Sequence, residues 1–287
     1  MKLANDWKDY EIIATSSKEK FERWGNIFLV RPDPQIIWEG DKNLAKDPRV
    51  HAHYHRTSTG GGAWEKKKKF PEEWVISYRN LRFLVKPMGF KHTGLFPEQA
   101  YNWDRMIDLI KNAKRPINVL NLFAYTGGAT VAAASGGASV CHVDAAKNMV
   151  ERAKKNAELS GLSSAPIRYI VDDCRKFVER EIKRGHKYDA IIMDPPSYGR
   201  GANGEVWSLE DNLFEFVQLC MNVLSDKPLF VLINSYTTGL GATVLENILR
   251  LTVKSKGTFE AFEIGLPTDE KDVILPCGTS GWFIGEK

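Results

Sequence analysis

Ile117-Asn118-Val119-Leu120-Asn121-Leu122-Phe123-Ala124-Tyr125-Thr126-Gly127-Gly128-Ala129 holds no Asp, Glu, Lys or Arg and ends in a turn of small residues. An apolar run followed by Gly-Gly predicts a buried strand over 117–123, a tight turn, and a helix of small residues over 130–134. Outward from it the alternation continues. Strand 139–143 ends at Asp144 and precedes a charged helix, 147–160. Strand 167–171 runs into Asp172-Asp173-Cys174 and helix 175–183, and strand 188–193 into Asp194-Pro195-Pro196. An amphipathic helix over 209–224, strand 229–234 and helix 242–253 follow, then two β-like runs, 258–264 and 281–284. On the amino side, 99–111 has helical spacing, with Met106, Ile107 and Ile110 on one face. Strand and helix in alternation predict an α/β fold with a parallel, doubly wound sheet. Two closing strands with no helix between them predict that the last one inserts antiparallel.

The first third reads differently. It is aromatic and rich in Pro and Gly, with short β-like runs: 24–30 and 36–38 flank Arg31-Pro32-Asp33-Pro34, and 74–78 and 81–86 flank Arg79-Asn80 as a hairpin. Between them, Gly60-Gly61-Gly62 and the lysines at 66–69 predict a mobile or substrate-facing segment. The chain therefore divides into a small β-rich accessory domain, 1–95, and a Rossmann-like domain, 96–287. Residues 1–95 carry 18 Lys and Arg against 12 Asp and Glu, and the remainder 22 against 24. A basic accessory region suits a polyanionic substrate, although a solvated lysine-rich surface gives the same count.

Several classes are excluded. The charge-free stretch 116–143 is long enough to cross a bilayer, but Asn118, Asn121, Thr126-Gly127-Gly128 and Ser135-Gly136-Gly137 divide it into buried strands and a helix. No basic segment followed by an apolar one opens the chain, so a secretory signal is not expected. Cys141, Cys174, Cys220 and Cys277 form no C-x-x-C pair; neither a disulfide framework nor a zinc cage is expected, and a reducing cytoplasm is the natural compartment. His51, His53 and His55 alternate and would share a strand face. No carboxylate or cysteine nearby in sequence completes a ligand set, so no metal is expected.

The chemistry is expected at the carboxyl ends of the strands, where open α/β sheets bind ligands. The turn at 124–129 offers close backbone approach through Gly127 and Gly128, but it does not match the G-x-G-x-x-G that cradles a pyrophosphate. A cofactor without phosphates, S-adenosylmethionine, suits it better than a dinucleotide. Asp144 can accept from both ribose hydroxyls, and Asp173 from an adenine amino group while the Cys174 N–H donates to the ring. Each aspartate can equally be a helix N-cap. Asp194-Pro195-Pro196-Ser197-Tyr198 is the sharpest motif: the prolines fix the backbone, the carboxylate and carbonyls can bind the edge of a planar base, and Tyr198 can stack on it. The plainer reading of that motif is a rigid turn.

Taken together, these residues resemble the bacterial S-adenosylmethionine-dependent methyltransferases that modify large-subunit ribosomal RNA, a family with cytosine-C5 and guanine-N7 members. The resemblance covers about residues 75–285. It rests on Thr93-Gly94-Leu95-Phe96-Pro97-Glu98-Gln99, on Asn121-Leu122-Phe123-Ala124-Tyr125-Thr126-Gly127, on Val143-Asp144, on Asp172-Asp173 and on Asp194-Pro195-Pro196-Ser197. It implies the Rossmann-like class I methyltransferase fold, RNA as the partner, and Phe96 and Gln99 over the cofactor. Asn121, Phe123, Ala124, Tyr125, Thr126, Gly127, Ala145 and Cys174 complete the implied cofactor set with Asp144, Asp173 and Asp194. Two departures stand out. Residues 1–95 are short and aromatic for the RNA-binding PUA domain and linker domain of many members. The C5 members also keep a nucleophilic cysteine after the strand at 229–233, where this chain has Asn234-Ser235-Tyr236. N-methylation, with Asn234 orienting the base edge, is the resulting expectation. A cytosine-C5 RNA methyltransferase, a small-molecule methyltransferase, an idle RNA-binding module and an NAD-dependent dehydrogenase are the rival readings.

Overall fold

The computed structural model describes residues 1–40, 43–57, 61–89, 91–200 and 206–286. Two compact units divide them. The larger comprises Met1–Lys2, Tyr101–Ile264 and Gly278–Lys287; the smaller comprises Leu3–Ala100 and Gly265–Cys277. The smaller unit is thus discontinuous in sequence and includes residues 265–277, which sequence alone groups with the carboxyl-terminal domain.

The larger unit is built on strands β1 (Asn118–Leu122), β2 (Ser139–Asp144), β3 (Ile167–Val171), β4 (Ala190–Met193), β5 (Phe230–Ser235), β6 (Gly257–Pro267) and β7 (Ile274–Gly285). They lie in the order β3-β2-β1-β4-β5-β7-β6, with Lys2–Leu3 beside β6 at the edge. Strands β1 to β5 pair in parallel. As the helix-free ending predicts, β7 inserts antiparallel to β5, with Leu232 opposite Trp282. Every residue of β4 and β5 is buried, as a parallel sheet covered on both faces requires. Phe177 and Val178 of helix Cys174–Arg184, Leu213, Phe216 and Val217 of helix Leu209–Met221, and Leu245 and Leu249 of helix Ala242–Thr252 pack on one face. The charge-free stretch folds as β1, helix Gly128–Ser135 and β2, and no described helix is long and apolar enough to cross a membrane.

The smaller unit holds a five-stranded sheet in the order Tyr10–Ser16, Glu19–Trp24, Ile27–Pro32, Ala52–Arg56, Gly62–Lys66, and the hairpin Trp74–Tyr78/Leu81–Val85. The hairpin agrees with the sequence reading. The run at 24–30 does not stay whole: Gly25, at φ +63°, turns the chain so that Trp24 pairs with Ile27. Nor do residues 36–38 form a strand; Ile36 donates its N–H to Asp33 O (3.2 Å) and plugs the core while Ile37 stays exposed. In the expected substrate-facing segment, Gly60 lies outside the described residues. Lys66 ends a strand, and Lys67 and Lys68 donate their Nζ to the carbonyls of Ala45 and Pro48. Residues 265–277 tie onto the sheet's first strand: the Glu270 carboxylate accepts the Thr15 N–H (2.9 Å) and O–H (2.5 Å), and Asp269 N–H donates to Ile12 O (2.9 Å).

A buried ion pair crosses this sheet. Arg31 donates two bonds to Glu22 (2.6 and 2.8 Å), and Tyr10 O–H donates a third (2.7 Å). Burial pushes the Glu22 carboxyl up, but the charges of Arg31 and Lys20 and the bonds from Arg31 and Tyr10 outweigh it and hold the group at about 2. Its folded pKa lies below the ordinary 4.5, so the stabilisation is complete above that pH and is lost as pH falls toward 2. Glu22→Gln leaves the guanidinium buried without its counter-charge and is expected to cost about 3–5 kcal/mol at pH 7. Urea titrations of both proteins at pH 7 and pH 3 check this; the gap should narrow at the lower pH.

Candidate active site

The loop after β1 has an unusual backbone. Phe123 (φ +54°), Tyr125 (φ +50°) and Gly127 (φ +81°) are all left-handed, and for the two aromatic residues that conformation is costly unless neighbours hold it. They do. The Cys174 thiol accepts the Phe123 N–H (3.3 Å), Asp144 Oδ2 accepts the Tyr125 N–H (2.8 Å), and Asn156 Nδ2 donates to Thr126 O (2.8 Å). Ala124 N–H donates to Val143 O (3.0 Å), so β2 and the two helices after β2 and β3 fix the loop. Gly127 is explained by packing as well as by φ: a Cβ there would lie 2.7 Å from that of Ala153 on helix Lys147–Leu159.

Each strand-end residue has a definite place. Asp144 uses one oxygen on Tyr125 and the other on the Ala146 N–H (2.9 Å). A carboxylate accepts about four hydrogen bonds, so two ribose hydroxyls can still be accommodated; Ala145 beside it is exposed. Asp173 is exposed and caps helix Cys174–Arg184 by accepting the Lys176 N–H (2.9 Å). Its capping reading is therefore realised, with one carboxylate oxygen engaged. The Cys174 side chain is buried beneath the loop, and its thiol is pushed up to about 12 by burial. Asn121 is buried and donates to Thr130 Oγ1 (2.9 Å), which bonds His142 Nδ1 (2.8 Å). These three form a strut under the loop. Burial pushes His142 down to about 3, so it stays neutral.

On the other side of β1, Asp194 N–H donates to Leu122 O (3.4 Å). Pro195 is buried and Pro196 exposed; Pro196 O accepts the Trp207 Nε1–H (2.7 Å). Tyr198 opens a short antiparallel hairpin, Tyr198–Arg200 with Val206–Ser208, and its side chain is 58% exposed, as stacking on a planar ligand requires. Ser197 Oγ accepts from Thr237 Oγ1 (2.7 Å), joining the loops after β4 and β5. Asn234 is placed differently from its expected task. It is buried, and its Oδ1 accepts from Ser280 Oγ (2.8 Å) and Asn102 Nδ2 (3.3 Å), with Trp282 Nε1 donating to Asn102 (3.1 Å). That network makes it part of the sheet's framework. Phe96 and Gln99 belong to the smaller unit, flanking and closing the turn Pro97–Gln99; Phe96 contacts His92 edge-on (5.6 Å) and Gln99 is buried.

Two contributors escaped the sequence reading. Asn156 lies in a charged helix but falls in line with Val150, Ala153 and Ala157, and that spacing is the signal that it faces inward. Trp207 packs with Phe123 (5.5 Å) and Phe216 (5.6 Å), joining the hairpin to the loop after β1; only its place just before a helix hints at this.

A doubly wound sheet of this order, with β7 antiparallel, a pinned left-handed loop after β1 and an aspartate at the end of β2, is a Rossmann-like architecture that takes a nucleoside-containing cofactor at its strand ends. Residues 16–239 match the family of S-adenosylmethionine-dependent methyltransferases, and the chain belongs to that family. The S-adenosylmethionine-dependent methyltransferase of Agrobacterium tumefaciens is 33% identical, with TM-score 0.92 over 99% of this chain and 93% of that one. SMU.776, a putative methyltransferase complexed with S-adenosylhomocysteine, shares the fold at 20% identity and TM-score 0.75, over 96% of this chain and 76% of its own. Ribosomal RNA large subunit methyltransferase K/L of Alteromonas mediterranea is 30% identical over 86% of this chain and 35% of its own length. The chain spans between a fifth and a half of the curated relatives it first matches.

The residues present fit S-adenosylmethionine, since Asp144 at the end of β2 retains acceptor capacity for ribose hydroxyls. Asp144→Ala removes an acceptor and releases the Tyr125 N–H. Calorimetry with S-adenosylhomocysteine should show affinity weakened by more than about 1 kcal/mol, with no binding of NAD to either protein. Gly127→Ala should destabilise the fold by about 1–3 kcal/mol through its clash with Ala153, read as a lower denaturation midpoint.

Proposed function

We propose that this methyltransferase acts on large-subunit ribosomal RNA and methylates a base nitrogen, ring or exocyclic. The curated relatives whose names specify that RNA support the substrate class, as do the exposed ring of Tyr198 and the basic first third. S-adenosylmethionine supplies an electrophilic methyl group when bound. The chain's own task is orientation: an acceptor nitrogen must be held about 3 Å from that carbon and in line with it. In this reading Tyr198 stacks on the base while Asp194 and the Pro195 carbonyl accept from its amino edge; the Pro196 carbonyl serves Trp207 instead. Asp144 takes the ribose, and Asp173 with the Cys174 N–H takes the adenine. Phe96 and Gln99 remain assigned to the cofactor on the resemblance alone. Asn234 is left to the framework.

The observation that carries the nitrogen assignment is where the thiols lie: Cys141, Cys174 and Cys220 are buried, Cys277 is half-buried, and none follows Ile233, where Asn234-Ser235-Tyr236 stand. Cytosine C5 becomes nucleophilic only after a thiolate adds to the ring. Burial pushes Cys141 up to about 11 and Cys174 to about 12, and it raises Cys220 and Cys277 well above the ordinary thiol value. Cys174 is further engaged with Phe123, and Cys277 donates to Leu275 O (3.4 Å). A ring nitrogen already has its lone pair and needs no covalent adduct.

Incubation with 5-fluorocytidine-substituted ribosomal RNA and S-adenosylmethionine should therefore leave no stable covalent complex, while nucleoside mass spectrometry finds an N-methylated base. A complex that disappears when one cysteine is changed to alanine would restore the C5 assignment. Tyr198→Ala should lower productive RNA binding about ten- to hundredfold, with S-adenosylhomocysteine affinity unchanged.

A further inference from the structure

We propose that the five-stranded sheet of the smaller unit carries a binding site for a divalent transition-metal ion, zinc by its donor chemistry, formed by His53, His55 and Glu65, with Glu19 hydrogen-bonded to His53. The sequence offers His51, His53 and His55 as an alternating set without a carboxylate. The fold changes that set at both ends. His51 lies before the strand Ala52–Arg56 and turns away: its Nδ1 accepts the Phe28 N–H (3.1 Å), and its ring stacks on Phe28. His53 and His55 stay on one face with ring centroids 4.1 Å apart.

The carboxylates come from neighbouring strands, out of reach of any local motif. Glu65 stands opposite His53 in the antiparallel pair, and its Oε2 lies 2.8 Å from His55 Nε2. Opposite His55 is Ala63, too small to fill the space above the rings. Glu19 reaches His53 from the strand beyond Ile27–Pro32, and its Oε1 lies 2.6 Å from His53 Nε2. Among the described residues, His53, His55 and Glu65 are the one group of three such side chains whose ligand atoms all lie within 4.8 Å of one another.

An ion requires the group to close. In a four-coordinate site, zinc–nitrogen and zinc–oxygen bonds of about 2.0–2.2 Å put ligand atoms about 3.3–3.6 Å apart, so the widest separation must contract by about an ångström. The histidine–glutamate contacts are hydrogen bonds that share a proton, and a cation takes the place of those protons. Two imidazoles and one carboxylate, with water as the fourth ligand, make a borderline set that suits zinc rather than calcium or magnesium. Exposure is divided usefully. The His53 side chain is 9% exposed and anchors the site, while His55 (54%) and Glu65 (53%) face solvent, so an ion can enter and the movable ligands can close on it. Occupied, the site would join the strands Ala52–Arg56 and Gly62–Lys66.

The test is zinc titration of the full chain, purified with chelator and then freed of it, followed by cobalt substitution. One equivalent of zinc should bind, and cobalt should give the visible absorption of a four-coordinate N,O site. His55→Ala and Glu65→Gln alter exposed side chains, so both variants should keep the native circular dichroism spectrum and their affinity for S-adenosylhomocysteine. Each should lose at least about tenfold in zinc affinity. Absence of zinc binding to the unaltered chain, or affinity unchanged in both variants, would overturn the proposal.

Discussion

The larger unit depends on holding an unfavourable backbone in place. Two non-glycine residues of the loop after β1, Phe123 and Tyr125, sit in the left-handed region, and each is held through its N–H by a side chain from elsewhere: the thiol of Cys174 and the carboxylate of Asp144. Asn156 holds the carbonyl between them and Gly127 from a third element. A loop restrained in this way loses little further entropy when a ligand arrives, which is how a fold prepares a binding surface. It also means that the Asp144 carboxylate at the end of β2 shapes the loop after β1.

The other side of β1, around the loop after β4, is organised by aromatic packing. Trp207 touches Phe123 and Phe216 and takes the Pro196 carbonyl, so the Asp194-Pro195-Pro196 turn, its hairpin and the loop after β1 form one assembly. The hydroxyl contact between Ser197 and Thr237 extends it to the loop after β5. Orientation of two reactants calls for such rigidity, because catalysis of methyl transfer is largely alignment.

What could be read from residues alone follows the range of the interactions. The strand-and-helix order from Asn118 onward was legible because period and turn chemistry are local, and the antiparallel β7 followed from a missing helix. The strand ends were legible for the same reason: Asp144, Asp173 and Asp194 each follow an apolar run. Glu65 opposite His53 and Asn102 beside Asn234 were hidden, because cross-strand register and distant packing bring them together. Gly25 was misread because one glycine inside an aromatic run gives little local sign that the chain reverses there. The β-rich character of the first third was legible from its short aromatic runs, but its closure by residues 265–277 was not, because that contact is distant in sequence.

That closing segment bears on how the protein is made. Thr15 near the amino terminus takes its hydrogen-bond partner from Glu270, and Ile12 from Asp269. A ribosome synthesises the chain in one direction, so the first strand of the small sheet emerges some 250 residues before the groups that complete its bonding. During that interval Tyr10–Ser16 exposes an unfinished edge, the kind of surface that recruits other strands or a chaperone.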